Sequence, residues 1–117
     1  MYSGIGAALY AVYASLKYYS LTGEGLVDAS KVKSMNIDHI IDVRTQMEWN
    51  MGHHKNAKHL PINKISKSSL NNLNIKTGDS IVVYCNTGQR ARKAAEMIRK
   101  LGYTKVYYIE SGWNSLK

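Results

Sequence analysis

A single cysteine, Cys85, occurs among 117 residues, and that scarcity removes two common roles at once. An internal disulfide needs two thiols and a tetrathiolate zinc site needs four, so the chain can build neither from its own residues. Cys85 is then an inert core residue, a metal ligand in company with histidines, or a reactive thiol. Acidic side chains are also scarce: 8 Asp and Glu stand against 16 Lys and Arg, a formal net charge of +8. A surplus of that sign attracts anions and raises their encounter rate. The basic residues are scattered, and no interleaved aromatic and basic pattern accompanies them, so nucleic acid is not the expected partner. A long apolar run is missing as well. The uncharged stretch at residues 2–16 is shorter than the about 20 strongly apolar residues of a membrane span, and Gly, Ser, Ala and Tyr dilute it. It also lacks the basic start of a secretory signal. No long internal repeat or low-complexity tract is present.

What remains is enough for one compact core, at 44% hydrophobic residues, and too little for two ordinary domains. Residues 1–24 form an N-terminal segment ahead of a domain over residues 25–117. Within the segment Ile5, Leu9, Val12 and Leu16 recur at helical spacing before Thr22-Gly23-Glu24-Gly25 breaks the pattern. Three readings stay open: an amphipathic helix that contacts the domain or a second copy through residues 2–21, a membrane-associated anchor, or frayed chain. A lone cysteine without a secretory pattern suits a reducing cytoplasm, and anchoring through the N-terminal segment is the alternative location.

Beyond Gly25 short apolar runs alternate with helix-like stretches, the pattern of an α/β domain with a largely parallel sheet. Leu26 and Val27 are expected as a short edge strand, with Asp28 or Ser30 capping a small helix over 31–35. Residues 39–43 read as a buried strand, 58–60 as a weak strand ended by Pro61, and 63–74 as short helix and loop. The clearest central strand is 81–84. Over 89–101 the residues Ala91, Ala94, Ala95, Ile98 and Leu101 fall on one helical face, charged residues occupy the other, and Gly102 stops the helix. A last strand is expected at 106–109, followed by a closing turn at 110–113.

Cys85 opens the sequence Cys85-Asn86-Thr87-Gly88-Gln89-Arg90 at the junction of the central strand and the long helix. Open α/β sheets bind ligands at such junctions. A loop curling at a helix N-terminus turns unpaired N–H groups toward its own centre, and the helix end adds roughly half a positive charge. That field favours the ionised form of a thiol. Gly88 can supply the positive φ of a tight loop, and Arg90 a planar guanidinium for an oxyanion bound near the sulfur. The bland alternative makes Cys85 a small buried hydrophobe, since free cysteine is among the most buried residue types, with Arg90 and Arg92 as solvated helix residues. The joint placement of Cys, Gly and Arg on one strand-loop-helix turn favours a thiolate nucleophile in an anion pocket. His53, His54 and His59 raise the question of a metal, but neighbouring side chains at 53 and 54 would point in different directions, so none is expected.

The loop from Cys85 to Ala91 resembles the CxxGxR[SA] active-site loop of the rhodanese family. Asp42-Val43-Arg44, followed by Glu48-Trp49 and Gly52-His53, is similar to that family's DVR...E[YF]...GH stretch and continues into Ala57 and Leu60-Pro61. Ile109-Glu110-Ser111-Gly112-Trp113 resembles its closing [LI]xGGxxxW region. The resemblance implies a rhodanese-like α/β fold with a five-stranded, mostly parallel sheet and helices on both faces. By motif position it makes Cys85 and Arg90 catalytic, the first as sulfur acceptor and the second closing the loop around it. Asn86, Thr87, Gly88 and Gln89 become the substrate-binding loop, with Asp42, Arg44 and Glu48 as structural charges beside it. Four residues separate Cys85 from Arg90, as is typical of the sulfurtransferases, whereas related phosphatases use one more; the smaller ring suits a persulfide sulfur. The sequence departs from the pattern at Asn56, where Gly is usual, at His54, where Ile is usual, and at Ser111, where the first closing Gly is usual. These positions lie at turns and leave the thiol loop untouched.

The activity implied is transfer of sulfane sulfur from a small anionic donor such as thiosulfate to Cys85 as a persulfide. With no second cysteine in the chain, the acceptor is an external thiol, a protein thiol or cyanide. No metal, nucleotide or organic cofactor is implied. The alternatives are a rhodanese-like module that binds a partner without catalysis, and phosphatase or arsenate reductase chemistry. Deleting residues 2–21 is expected to spare sulfur transfer, followed as thiocyanate release; loss of activity in a still-folded truncation would make the segment part of the working domain.

Overall fold

The computed structural model describes residues 25–116, so the readings made for residues 2–21 lie outside the described residues. Four strands form the sheet: β1 (His39–Asp42), β2 (Ala57–His59), β3 (Ser80–Tyr84) and β4 (Lys105–Tyr108). Their order is β2-β1-β3-β4, and every pair is parallel. Ile81, Val82 and Val83 in β3 are fully buried, which is why that strand reads as an unbroken run of β-branched residues: both faces of a central parallel strand are covered. The chain steps outward from β1 to β2, then crosses back to β3 on the other side of β1. The reversal opens a crevice at the carboxyl ends of β1 and β3, where a doubly wound sheet takes its ligands.

Alternation along the strands sends Ile41, Val43, Ile81 and Val83 to one face. Two helices cover that face, α2 (Lys67–Asn72) through Leu70 and α3 (Gln89–Lys100) through Ala91, Ala94, Ala95 and Ile98. The small residues of α3 let its axis approach the sheet closely, and Gly102, at φ 104°, takes the left-handed conformation just past its end. On the other face Val82 and Tyr84 pack with Val32, which joins two 3-10 turns before β1, with Ile109 just past β4, and with Leu116 in the 3-10 turn Trp113–Leu116. No described helix is long and apolar enough to cross a membrane.

Two expectations are corrected. The sheet has four strands where five were expected, because Leu26 makes only an isolated parallel bridge to Tyr108. Gly25, at φ 84°, bends the chain on one side of it and the turn at Ala29–Lys31 bends it on the other, so no length is left for a ladder. The small helix expected over 31–35 is two 3-10 turns, Ala29–Lys31 and Lys33–Met35, and the Asp28 side chain makes no capping bond. A short helix not foreseen, α1 (Gln46–Met51), follows β1. Thr45 accepts from the Glu48 backbone N–H, and the Glu48 carboxylate accepts from that of Thr45, a reciprocal box that satisfies two otherwise unpaired donors.

Ile98→Ala leaves a cavity between α3 and the sheet and is expected to cost about 2–5 kcal/mol in urea unfolding. Lys93→Ala on the exposed face should stay within about 0.5 kcal/mol.

Candidate active site

Cys85 follows β3 directly, and its side chain is 1% exposed, in the core layer under α3. Its Sγ accepts from the backbone N–H groups of Gly88 at 3.1 Å and Ala91 at 3.3 Å. Both donors belong to the start of α3, whose first N–H groups have no partner within the helix. Gly88 sits at φ 93°, and a Cβ there would lie 2.7 Å from the Glu110 Cα, so both conformation and space require glycine. The loop thus wraps the sulfur with main-chain donors, as its sequence order suggested.

Arg90 does not reach over the sulfur as a free cation. Its Nη1 and Nη2 donate to the two Glu48 carboxylate oxygens at 2.8 and 2.9 Å, a planar, two-pronged pair. Glu48 also accepts from Asn86 Nδ2 at 2.6 Å, so it is the side chain of Asn86 that ties this part of the loop to α1. The Arg90 guanidinium, helped by the Thr45 donors, holds the Glu48 carboxyl well below the usual carboxylate range against the opposing effect of burial. Thr87 and Gln89 are exposed at the rim.

Beneath this lies a second ion pair. Arg44, 5% exposed, donates through Nε and Nη2 to fully buried Asp42, through Nη2 to the Gly52 carbonyl at 2.6 Å, and through Nη1 to Asn86 Oδ1 at 3.4 Å. Its guanidinium stands 5.7 Å from the Tyr84 ring centroid. Burial, with the Asp42 carboxylate alongside, pushes the Tyr84 phenol up. Trp49 stacks on His53 with ring centroids 3.4 Å apart and on His59 at 4.7 Å, and the His59 ring bonds the Arg44 carbonyl oxygen at 2.8 Å.

A family model described as a rhodanese-like domain matches residues 26–117. The chain belongs to the rhodanese-like family. Among curated relatives, the Bacillus subtilis protein YqhL, itself uncharacterized, is 30% identical over 74 residues, which cover 63% of this chain and 56% of that protein. A tRNA uridine(34) hydroxylase of Erwinia tasmaniensis is 33% identical over 75 residues, 62% of this chain and 21% of the relative. The matched region thus spans about half of the first protein and a fifth of the second. Among solved structures, a rhodanese with anions from E. coli is 27% identical with a TM-score of 0.57, over 66% of this chain and 88% of that one. The human single-domain sulfurtransferase TSTD1 shares the fold, with a TM-score of 0.60 at 23% identity over 74% and 85% of the two chains.

The structure brings every residue expected at this rhodanese-like site to the carboxyl ends of β1 and β3. Sequence reasoning missed the direct Glu48–Arg90 contact and the tryptophan-histidine stack. The signal for the first was present in Thr45-x-x-Glu48, which announces a helix start and so places Glu48 on an element facing the loop. The departures from the family pattern are absorbed locally: neither Asn56 nor Ser111 has positive φ, so glycine is not required at either. Among the described residues no cluster of three or more His, Cys, Asp or Glu is arranged to hold a metal.

Glu48→Gln keeps an acceptor for the helix cap but removes the charge that Arg90 meets. Because the folded-state pKa of Glu48 is lowered, its stabilising contribution is complete above the ordinary glutamate value and is lost as pH falls through the folded value. The variant should be less stable than the parent by about 1 kcal/mol near neutral pH, the partly exposed pair being screened by solvent. Urea titrations carried into acid should show that difference narrowing.

Proposed function

We propose that this chain is a sulfurtransferase that carries sulfane sulfur as a persulfide on Cys85. The observation that carries the reading is the pair of N–H donors from Gly88 and Ala91 on Sγ, at the amino end of α3 and in the crevice between β1 and β3. The same donors that meet Sγ suit a negatively charged sulfur bonded to it, since they are fixed before the reaction and need no reorganisation. The rhodanese-like family and the sulfurtransferase among its structural neighbours support the reading.

In the first step the Cys85 thiolate attacks the outer sulfur of an anionic donor such as thiosulfate. A new S–S bond forms, the donor's own S–S bond breaks, and sulfite leaves with the electron pair. In the second step an external thiolate, or cyanide in an assay, attacks the terminal sulfur and returns Cys85 as the thiolate. Splitting the transfer into two displacements predicts ping-pong kinetics. Arg90 is already matched by Glu48, so its part is to hold the loop closed, while backbone N–H groups meet the charge on sulfur. A cavity of about 410 Å³ beside the loop, bounded by Val43, Ile62, Lys64 and Arg90, offers room for donor and acceptor next to Lys64, a cation with no ion-pair partner among the described residues.

One observation favours a second reading. Cys85 is 1% exposed, which also suits a rhodanese-like module that binds a partner and leaves the thiol idle. Incubation with thiosulfate separates the two. The proposed activity requires a gain of about 32 Da, one sulfur atom, in intact mass, reversed by cyanide with release of thiocyanate and absent in Cys85→Ser. No gain from any sulfane donor, in folded protein with a reduced thiol, would transfer the assignment to the binding module.

A further inference from the structure

On the sheet face opposite α2 and α3 lies a second cavity that the chemistry at Cys85 does not use. Its volume is about 710 Å³, within the roughly 300–1,000 Å³ of small-molecule sites. Ile37, Ile40, Trp113 and Leu116 form its apolar floor, and none of the loop from Cys85 to Arg90 lines it. One wall is set by close packing: a Cβ on Gly52 would come within 3.0 Å of Trp113 Cζ2, so the indole is seated against backbone.

The rim has one sign. Lys33, Lys55, His53 and His54 line the cavity, and no carboxylate stands among the described lining residues. Neither lysine takes part in an ion pair among the described residues. His54 Nδ1 accepts from the Asn56 backbone N–H at 3.1 Å, which leaves the ring proton on Nε2 as a donor. His53 is held the other way round, its Nδ1 donating to the Trp49 carbonyl at 2.9 Å. An apolar floor under a rim of unmatched cations and a donor imidazole fits a molecule with an apolar body and one negative head.

We propose that this cavity is a binding site for a small amphipathic carboxylate, its hydrocarbon body on Ile37, Ile40 and Trp113 and its head between Lys33, Lys55 and His54. The site is separate from the sulfur chemistry and does not depend on it.

The probe is decanoate, titrated calorimetrically into the full-length protein and mapped by backbone and indole NMR shifts. Saturable one-to-one binding is expected, with shifts centred on Ile37, Ile40 and Trp113. The exposed double variant Lys33→Glu/Lys55→Glu should weaken it about tenfold, and uncharged decanol should bind about tenfold more weakly than decanoate, the scale of two surface charge contacts. Thermal unfolding of the double variant should match the parent, both lysines being exposed. Absence of saturable binding, affinity unchanged by the charge reversal, or shifts centred on residues 85–91 would each overturn the proposal. So would sedimentation showing a dimer that the double variant dissolves, since the occupant would then be a second copy of the chain.

Discussion

Asp42 and Arg44 are buried together at the end of β1, and neither could be there without the other. Removing two charges from water is costly, and the cost is recovered only where geometry is good and the leftover donors find partners. Arg44 meets that condition by spreading its guanidinium over the Asp42 carboxylate, the Gly52 carbonyl and the Asn86 side chain. Those partners belong to three pieces of chain: the end of β1, the residue that closes α1, and the loop after Cys85. One side chain therefore fixes the spacing among the segments that make the site.

The second pair builds on the first. α1 starts where Arg44 ends, and its capping box orients Glu48 toward the loop. From there Glu48 holds both Arg90 and Asn86, so the loop is gripped at two points from outside while the N–H groups of Gly88 and Ala91 point in at the sulfur. The positive character that Sγ meets is consequently that of main-chain donors and the helix end, held rigid, more than that of a mobile arginine. Such preorganisation is what stabilises charge on a bound atom without rearrangement during the reaction.

Folds of this kind host many activities, and function resides in the site grafted on them. A matching stretch makes up 21% of a protein named a tRNA hydroxylase, and the same fold occurs in a protein named a sulfurtransferase. In this chain a lone cysteine is set among inward-turned donors, with a cavity of about 410 Å³ by the loop, Lys64 at its edge, and a larger one of about 710 Å³ on the far face of the sheet, rimmed by Lys33 and Lys55.

Residues close in sequence made much of this legible. The run of β-branched residues in β3, the small-residue face of α3 and the order Cys85, Gly88, Arg90 are local patterns, and local geometry alone carries a strand into a loop and a helix. Gly88 in the left-handed conformation belongs to the same class. Leu26 and Val27 misled because strand length depends on how far a neighbouring strand runs alongside, and Gly25 and the turn after Asp28 cut that short. The partner of Arg90 was equally hidden, as Glu48 lies 42 positions away and only the parallel pairing of β1 with β3 brings their ends together. The far-face cavity has no local signature at all, since its floor and rim come from three separate stretches of chain, 32–40, 53–56 and 113–116. Sequence by itself determined the chemistry available at Cys85; tertiary structure decided which charges meet, because ion pairs and cavities form between segments whose distance along the chain says nothing of their distance in space.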